Sequence, residues 1–393
     1  MLNKILLKNY LLDKSNDLIL IKLFLSFGMA IISILPTLYL RHLGLSNSEI
    51  GLLMGGTLFL SILISMFTTA FLERINEYKI FVTSIIVPAI CLVFILIFEN
   101  LYFFIFYLIL LSIFNTFKNN SFSIIFRDVT KKSEYSKKQG LMYALLNIGW
   151  FVGPLLAGLI LENYSFFETF GLALMFITIS IIISLAIKFD LKVKDRIIYD
   201  NNIIENFKYY IKRKKLNKAY LINFGSGIWY TLIFTFMPLY ILDSGLGEAW
   251  VGIFISLTQL PLVLIQLKLG YFIEKFGTKN LMKYSYIYLI IVSILCFISP
   301  NVYTIMVLLM STAVALGFIE PLRDIYFFKS VKSIDEEKTY PIFNTASPLG
   351  AVFGRLFLSY IVLLFAFEYI FLTMGILMLI FAGVCYTLKN YNN

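Results

Sequence analysis

The chain has 393 residues, of which 60% are hydrophobic and only 14% are charged. Since roughly a quarter of the residues of a soluble domain are charged, this composition excludes a soluble protein and predicts a membrane protein. The formal net charge of +10 would suit a nucleic-acid partner, but the basic residues are spread over alternate loops along the whole chain. We therefore expect no nucleic-acid binding.

Twelve apolar runs follow one another along the chain. Runs of about 18 residues or more are long enough to cross a bilayer as helices, and these runs lack the strict alternation of barrel strands. We therefore predict an all-α membrane protein in which twelve transmembrane helices form two pseudo-symmetric six-helix bundles. The predicted spans are 18–40, 49–72, 80–98, 101–126, 139–161, 168–187, 219–241, 249–272, 281–299, 302–327, 340–365 and 368–388.

The second half of the chain repeats the first half at a constant offset. Glu73 and Glu274 lie 201 residues apart in matching loops. A repeat this long indicates a duplicated bundle rather than a solenoid. We predict an N-terminal bundle (1–188), a cytoplasmic linker with an amphipathic helix (189–217) and a C-terminal bundle (218–393). The same offset relates Tyr39 to Tyr240, Gly44 to Gly245, Gly149 to Gly350, Gly153 to Gly354 and Phe170 to Phe371.

The basic residues predict the orientation of the chain. If the N-terminus lies inside, the inner loops carry the lysines and arginines and the outer loops carry only Arg41. This asymmetry is the positive-inside rule, and it predicts a multi-pass protein of the cell membrane with both termini cytoplasmic. The first span is too long for the apolar region of a signal peptide, so we expect it to be retained.

The matching loops carry an acid beside a base between the second and third helices of each half. Two six-helix halves with such loops, joined by a basic linker, resemble the major facilitator superfamily. The second copy follows the loop pattern of that family at Gly270, Glu274, Lys275, Gly277 and Lys279. The first copy departs from it, with Thr69 and Asn76 in place of glycines and Glu77 in place of a base. The resemblance covers essentially the whole chain.

The resemblance implies a secondary active transporter that works by alternating access, not an enzyme. It also implies charged contacts that close the cytoplasmic side between the two halves. The alternative for each of these residues is ordinary charge at the membrane surface. The predicted inner gate consists of Glu73, Arg74, Arg127, Asp128, Glu274, Lys275, Gly277 and Lys279.

The fifth span contains Gly149, Gly153, Pro154 and Gly158. Glycines four residues apart let a neighbouring helix approach closely, and a proline bends the helix. The pattern resembles the helix-5 motif of proton-driven exporters in the family. The alternative is close packing alone, because the second half keeps both glycines of the first pair. Leu110 stands near the position of the helix-4 arginine of many drug exporters, which weakens the export interpretation.

Ionisable residues inside spans are candidates for function, because burying each in lipid costs about 2.5–3.5 kcal/mol. We attribute Lys22 and Lys268 to snorkelling toward the membrane surface. Glu320 and Arg323, three residues apart, can pair within one helix, which leaves Asp324 to carry a proton. The predicted substrate cavity is polar, although lipid-facing or packing roles remain open for its neutral members. It consists of Asn115, Lys118, Asn119, Asn147, Trp229, Glu320, Arg323, Asp324, Asn344 and Arg355.

Two transport functions remain open from the sequence. The first is proton-coupled efflux of a small amphipathic or cationic compound, which the helix-5 motif favours. The alternative is proton-coupled import of a small polar nutrient such as a sugar or a nucleoside. The expected partners are a small-molecule substrate, protons and the lipid bilayer, for a monomer without a cofactor or a metal. A receptor built on the same fold also remains open.

Overall fold

A computed structural model describes residues 14–72, 76–131, 134–187, 203–332 and 335–388. The structure divides into two compact units. The first comprises Met1–Leu43 and Thr57–Asp195, and the second comprises Gly44–Gly56 and Arg196–Asn393. The described residues are almost entirely helical, and short turns connect consecutive helices. The predicted all-α class is confirmed.

The first half of the chain contributes six long helices. Ser165 begins the last of them with a capping box in which the Glu168 side chain accepts from the backbone of Ser165. Asn100 accepts two backbone N–H groups at the start of the fourth helix, so two backbone donors are satisfied at each of these helix starts. The helices are α1 (Lys14–His42), α2 (Asn47–Leu72), α3 (Glu77–Ile97), α4 (Leu101–Val129), α5 (Tyr135–Asn163) and α6 (Phe166–Ala186).

The second half repeats this series after a short linker helix at Ile203–Ile211. Three of its spans are interrupted once, at Lys268, Thr312 or Thr345. Its spans are α7 (Lys214–Asp243), α8 (Glu248–Leu267 with Leu269–Phe276), α9 (Thr278–Ile298), α10 (Val302–Ser330), α11 (Glu336–Asn344 with Ala346–Leu364) and α12 (Tyr369–Tyr386). Among the described residues, eleven helices have the length and apolar character of a membrane span. The one predicted span that is not among these eleven corresponds to the interrupted helix α8.

The repeat in the sequence is also a repeat in packing. Helix α1 packs against α5 and α6, and its counterpart α7 packs against α11 and α12. The turns after α1 and α7 both contain a glycine with a left-handed backbone, Gly44 with φ of 88° and Gly245 with φ of 82°. Because L-residues with a Cβ atom rarely adopt this conformation, both turns require glycine at the same repeat position.

Helix α7 changes its hydrogen-bonding pattern where it approaches the interior of its unit. Residues Leu232–Phe236 form a π-helical turn, and Met237–Asp243 follows with Pro238 in its first turn. Proline has no backbone N–H to donate to the preceding turn, and such widened turns often mark functional sites in helices. The π-helical turn therefore marks a segment of α7 to consider for function.

Candidate functional site

A cluster of charged and hydroxyl groups lies where α10 meets α7. Tyr230 donates its hydroxyl hydrogen to the Glu320 carboxylate, and Arg323 donates to the hydroxyl of Ser226. The Nε atom of Arg323 lies 3.7 Å from an oxygen of Asp324. Thus Arg323 pairs with Asp324, whereas the sequence pattern favoured Glu320 as its partner. The Glu320 carboxylate instead accepts from a neutral phenol.

A small cavity adjoins this cluster in the second unit. It takes in the π-helical turn of α7, the interruption of α10 at Thr312, and α8. Its volume of about 10 Å³ is room for about one water molecule. Tyr230 is shared between the cavity and the Glu320 contact, so the cavity and the carboxylate lie next to each other. The lining residues are Tyr230, Ile233, Phe234, Thr258, Gln259, Leu262, Thr312, Ala313 and Leu316.

The first unit holds a second polar group of residues, between α1 and α4. The Lys22 ammonium donates to the Asn119 side-chain oxygen at 3.1 Å and lies 4.7 Å from the centre of the Phe122 ring. Lys118 is 5% exposed and donates to the side-chain oxygen of Asn115. Asn115, Lys118 and Asn119 were predicted for the cavity. Lys22 was not, because we attributed it to snorkelling.

A small cavity lies beside Lys118. It has about the same volume as the cavity in the second unit, about 10 Å³. Tyr107, Asn115 and Lys118 line it from one face of α4, since their spacings of eight and three residues return to the same side of a helix. Tyr107 is 1% exposed, and its hydroxyl has no hydrogen-bond partner among the described residues. We call this site the lysine cavity; it is lined by Leu25, Met29, Ile32, Ser84, Ile85, Pro88, Ala89, Tyr107, Leu111, Asn115, Lys118 and Ile177.

The remaining candidates for the substrate cavity lie apart from these clusters. Trp229 is fully buried and its indole N–H has no partner among the described residues. Asn147 is half-buried in α5, and Asn344 is exposed at the end of the first segment of α11. Arg355 donates to the hydroxyl of Thr235 and to the backbone oxygen of Met54, both at 3.3 Å. The structure thus places Arg355 against α7 and the beginning of α2.

The predicted inner gate is described in part. Glu73 and Arg74 lie outside the described residues. Arg127 and Asp128 pair with each other at 3.5 Å at the end of α4. Glu274, Lys275 and Lys279 lie around the turn between α8 and α9, where Glu274 and Lys275 are exposed. The Lys275 ammonium lies 5.3 Å from the centre of the Phe276 ring.

The two copies of the gate loop turn the chain differently. Gly277 has a left-handed backbone with φ of 75°. Its counterpart Asn76 has φ of −58° and accepts the backbone N–H groups of Tyr78 and Lys79. The first copy therefore has an asparagine that caps α3 at the position where the second copy has a glycine with a left-handed backbone. Glu77 follows in the first helical turn, where the helix dipole favours an acid.

Gly149 and Gly153 of the helix-5 motif face α1. An added Cβ at Gly149 would lie 2.3 Å from the Ser26 hydroxyl, and one at Gly153 would lie 2.6 Å from Ala30. Gly350 and Gly354 make the corresponding approach to α7 in the second unit. Pro154 and Gly158 are buried in the same helix. Close packing of repeated helix pairs accounts for the glycines in both halves.

Outside the spans, the linker helix is attached to the segment before α11. The Tyr209 hydroxyl donates to the Asp335 carboxylate, and Arg213 lies 3.6 Å from the same carboxylate oxygen. The Arg213 guanidinium also stacks 3.8 Å from the centre of the Tyr209 ring. Burial and the hydrogen bond to Asp335 raise the pKa of Tyr209 above its ordinary value. We call these three residues the linker clasp.

Sequence reasoning missed Lys22, Ser226 and Tyr107 as members of the polar clusters. The repeat offset offered one signal, because it relates Lys22 to Asn223. Asn223 is buried and donates to the backbone oxygen of Phe343. Because the equivalent position in the second half is polar and lies in the interior, Lys22 is also a candidate for the interior. This argues against snorkelling of Lys22 toward the membrane surface.

Apolar helices in two repeated units, with charged and hydroxyl groups inside each unit, are typical of a multi-pass membrane transport protein. The model of the Major Facilitator Superfamily matches residues 18–331 and 219–392. The chain belongs to this superfamily, and the predicted fold of twelve helices in two bundles is confirmed. A search of curated protein sequences found no match.

Several solved structures share this fold. The nucleoside transporter NupG is 13% identical, with a TM-score of 0.77 over 95% of this chain and 99% of that chain. A POT family transporter in complex with 5-aminolevulinic acid is 11% identical, with a TM-score of 0.77 over 95% of each chain. An inward-facing, unoccupied bacterial homologue of the human lysosomal transporter Spinster is 13% identical, with a TM-score of 0.72 over 95% of each chain. Identities this low show similarity of fold alone.

Proposed function

We propose that this protein is a proton-coupled importer of a small polar solute, working by alternating access in the cell membrane with both termini cytoplasmic. The observation that carries the proposal is the Glu320 carboxylate, which lies inside the second unit beside a polar cavity. Its hydrogen bond comes from Tyr230, and no described cation forms an ion pair with it. The protein is proposed to act as a monomer, with the inner gate as predicted.

Glu320 is better placed than Asp324 to carry the proton. Arg323 already has two partners, the Ser226 hydroxyl and the Asp324 carboxylate. The Asp324 carboxylate is thus engaged by a permanent cation, whereas the Glu320 carboxylate contacts only the Tyr230 hydroxyl and is left to exchange a proton during transport. Protonation of Glu320 would change its contact with Tyr230, which also lines the cavity. One contact thereby links the proton to the solute.

Import has more support than export. The glycines that favoured export pack α5 on α1, and the second half uses the same arrangement on α7. The cavity beside Glu320 offers the hydroxyl and amide groups of Tyr230, Thr258 and Gln259, which suit a solute that forms hydrogen bonds. NupG is a nucleoside transporter, and one similar POT family structure holds 5-aminolevulinic acid; both solutes are small and polar.

The proposal is tested in membrane vesicles with an imposed proton gradient. Nucleosides, sugars, short peptides, small amino acids and cationic dyes are offered in turn, with and without an uncoupler. Accumulation of a polar solute that the uncoupler abolishes is the expected result. Dye extrusion driven by the gradient would instead favour efflux of an amphipathic cation. Accumulation that is indifferent to the uncoupler would contradict proton coupling.

A further inference from the structure

The first unit contains two interior lysines that have no acid as a partner in the described part of the chain. Lys22 and Lys118 each have one hydrogen-bond acceptor among the described residues, the side-chain oxygens of Asn119 and Asn115. An ammonium group has three donors, and a neutral amide oxygen leaves its charge uncompensated. No described ion pair includes either lysine. The interior of this unit therefore has an excess of basic groups and of hydrogen-bond donors.

The repeat explains why this charge is uncompensated. The offset of 201 residues relates Asn119 to Glu320, so the first unit has an amide where the second has a carboxylate. It relates Lys118 to Ile319 and Lys22 to Asn223, so the second unit has no lysine at either position. The first unit thus has two lysines that the second unit lacks, and it lacks the acid that the second unit has at the same place.

The lysine cavity lies beside these donors and is where a bound group could accept their hydrogen bonds. Lys118 and Tyr107 both line the small cavity, from backbone positions that lie about 16 Å apart along α4 at 1.5 Å per residue. The buried Tyr107 hydroxyl has no hydrogen-bond partner among the described residues. Lys22 and Asn119 do not line the cavity, but Asn119 is the chain neighbour of Lys118 and accepts from Lys22. Asn119 is exposed and Lys22 is half-buried, so the end of the site near Lys118 is the accessible end. The site therefore offers cationic donors near its accessible end and a neutral hydroxyl deeper inside.

We infer that Lys22 and Lys118 bind an anionic oxygen group, a carboxylate or a phosphate, of the transported solute. The inference rests on the proposed function and narrows its solute to polar molecules that carry a negative charge. Charged hydrogen bonds from two ammonium groups favour such a group over a neutral one of the same shape. The present cavity holds about one water molecule, so the solute enters with local widening beside Lys118.

Equilibrium binding to the purified full-length protein tests the inference without a proton gradient. The probes are uridine 5′-monophosphate against uridine, and succinate against succinamide, in neutral detergent. We expect the charged member of at least one pair to bind and its neutral partner to bind at least about tenfold more weakly. Equal binding within each pair, or binding of neither charged probe, would overturn the inference.

Variants assign the binding to the lysines. Lys118→Gln and Lys22→Gln should each weaken binding of the charged probe by about tenfold or more, whereas Lys118→Arg should keep most of it. Lys268→Gln removes an exposed lysine at the interruption of α8 and serves as the matched control, with binding unchanged. If Lys118→Gln fails to fold, Lys22→Gln at its half-buried position decides. Unchanged binding in a folded Lys22→Gln variant would then overturn the inference.

Two further experiments distinguish a lipid headgroup from a soluble solute as the ligand, and distinguish failure of this inference from failure of the proposed function. An anionic lipid headgroup has the same chemistry, so binding is repeated in vesicles of phosphatidylcholine with and without phosphatidylglycerol. Competition of the lipid with the soluble probe at Lys118, without transport of any charged probe, would assign the site to lipid and overturn the inference. Charge-selective binding without gradient-driven uptake would contradict the proposed function alone. Uptake of neutral solutes that is unaffected by Lys118→Gln would contradict the inference alone.

Discussion

The interiors of the two units share a scaffold and differ in charge. In the first unit, Lys22 and Lys118 contact amide oxygens and have no acid as a partner among the described residues. In the second unit, Glu320 contacts Tyr230, and Arg323 pairs with Asp324. Both sets lie between the first and fourth helices of their units. Duplication has kept the helix packing while the polar positions diverged. Under the proposals above, the first half recognises the charge of the solute and the second half carries the proton.

Glu320→Gln should have the largest effect on this division of roles. The amide cannot carry a proton but keeps an oxygen for Tyr230, so gradient-driven accumulation should be abolished while solute exchange continues. Uptake and counterflow in the same vesicles measure both activities. Asp324→Asn, which removes the partner of Arg323, should retain gradient-driven accumulation. Accumulation that survives in Glu320→Gln and is lost in Asp324→Asn would show that Asp324, and not Glu320, carries the proton.

A glycine pair related by the repeat tests the shared scaffold. An added methyl group at Gly350 would lie 2.1 Å from the backbone oxygen of Phe224, which cannot move alone. At Gly149 it would meet the Ser26 side chain at 2.3 Å, and a side chain can rotate. We expect Gly350→Ala to reduce the free energy of unfolding by about 1–3 kcal/mol and Gly149→Ala to reduce it by less. Thermal melting in detergent compares the two, and a reversed order would contradict this reading of the packing.

Asn119→Glu gives the first unit a carboxylate at the position where the second unit has Glu320. Asn119 already accepts from Lys22, so the new carboxylate should form an ion pair there and compete with an anionic solute. Binding of the charged probe should weaken by about tenfold, or ~1.4 kcal/mol. Asn119→Gln keeps the neutral amide and is the control. Tighter binding of the charged probe in Asn119→Glu would show that the lysines do not hold its anionic group.

The linker clasp should contribute the smallest effect, because it lies outside both interiors. Tyr209→Phe removes one hydrogen bond to Asp335 and should cost about 0.5–1.5 kcal/mol of stability, whereas the exposed Tyr164→Phe should cost nothing measurable. The pKa of Tyr209 is raised, so its neutral form stabilises the folded state. This contribution is present below the ordinary tyrosine pKa of about 10 and is lost as the pH rises through the higher folded value. Melting as a function of pH checks this, and equal alkaline loss in Tyr209→Phe would contradict it.

The sequence predicts the elements of this fold better than it predicts their contacts. Span length and the constant offset depend on local composition, so the helices and their repeat are readable from the chain. Arg355 was predicted for the substrate cavity, and the structure places it against Thr235 and Met54. The partner of Glu320 was not readable, because the side chain that reaches it, Tyr230, belongs to a helix brought there by packing. Lys22 was misassigned for the same reason, since the rotation of α1 decides whether it faces Asn119 or the membrane surface.

The beginning of α2 belongs with the second unit although it is synthesised with the first half. Its Ser48 hydroxyl donates to the backbone oxygen of Ser359 across 311 positions of the chain. Gly51 faces the Ser359 side chain, where an added Cβ would lie 1.9 Å from the hydroxyl oxygen. Gly44–Gly56 therefore leaves the ribosome long before α11 exists to receive it. The first half therefore inserts before Gly44–Gly56 can contact α11. Contacts between segments so distant along the chain form late. Completion of the second unit therefore depends on a contact between a segment translated early and a helix translated 311 residues later.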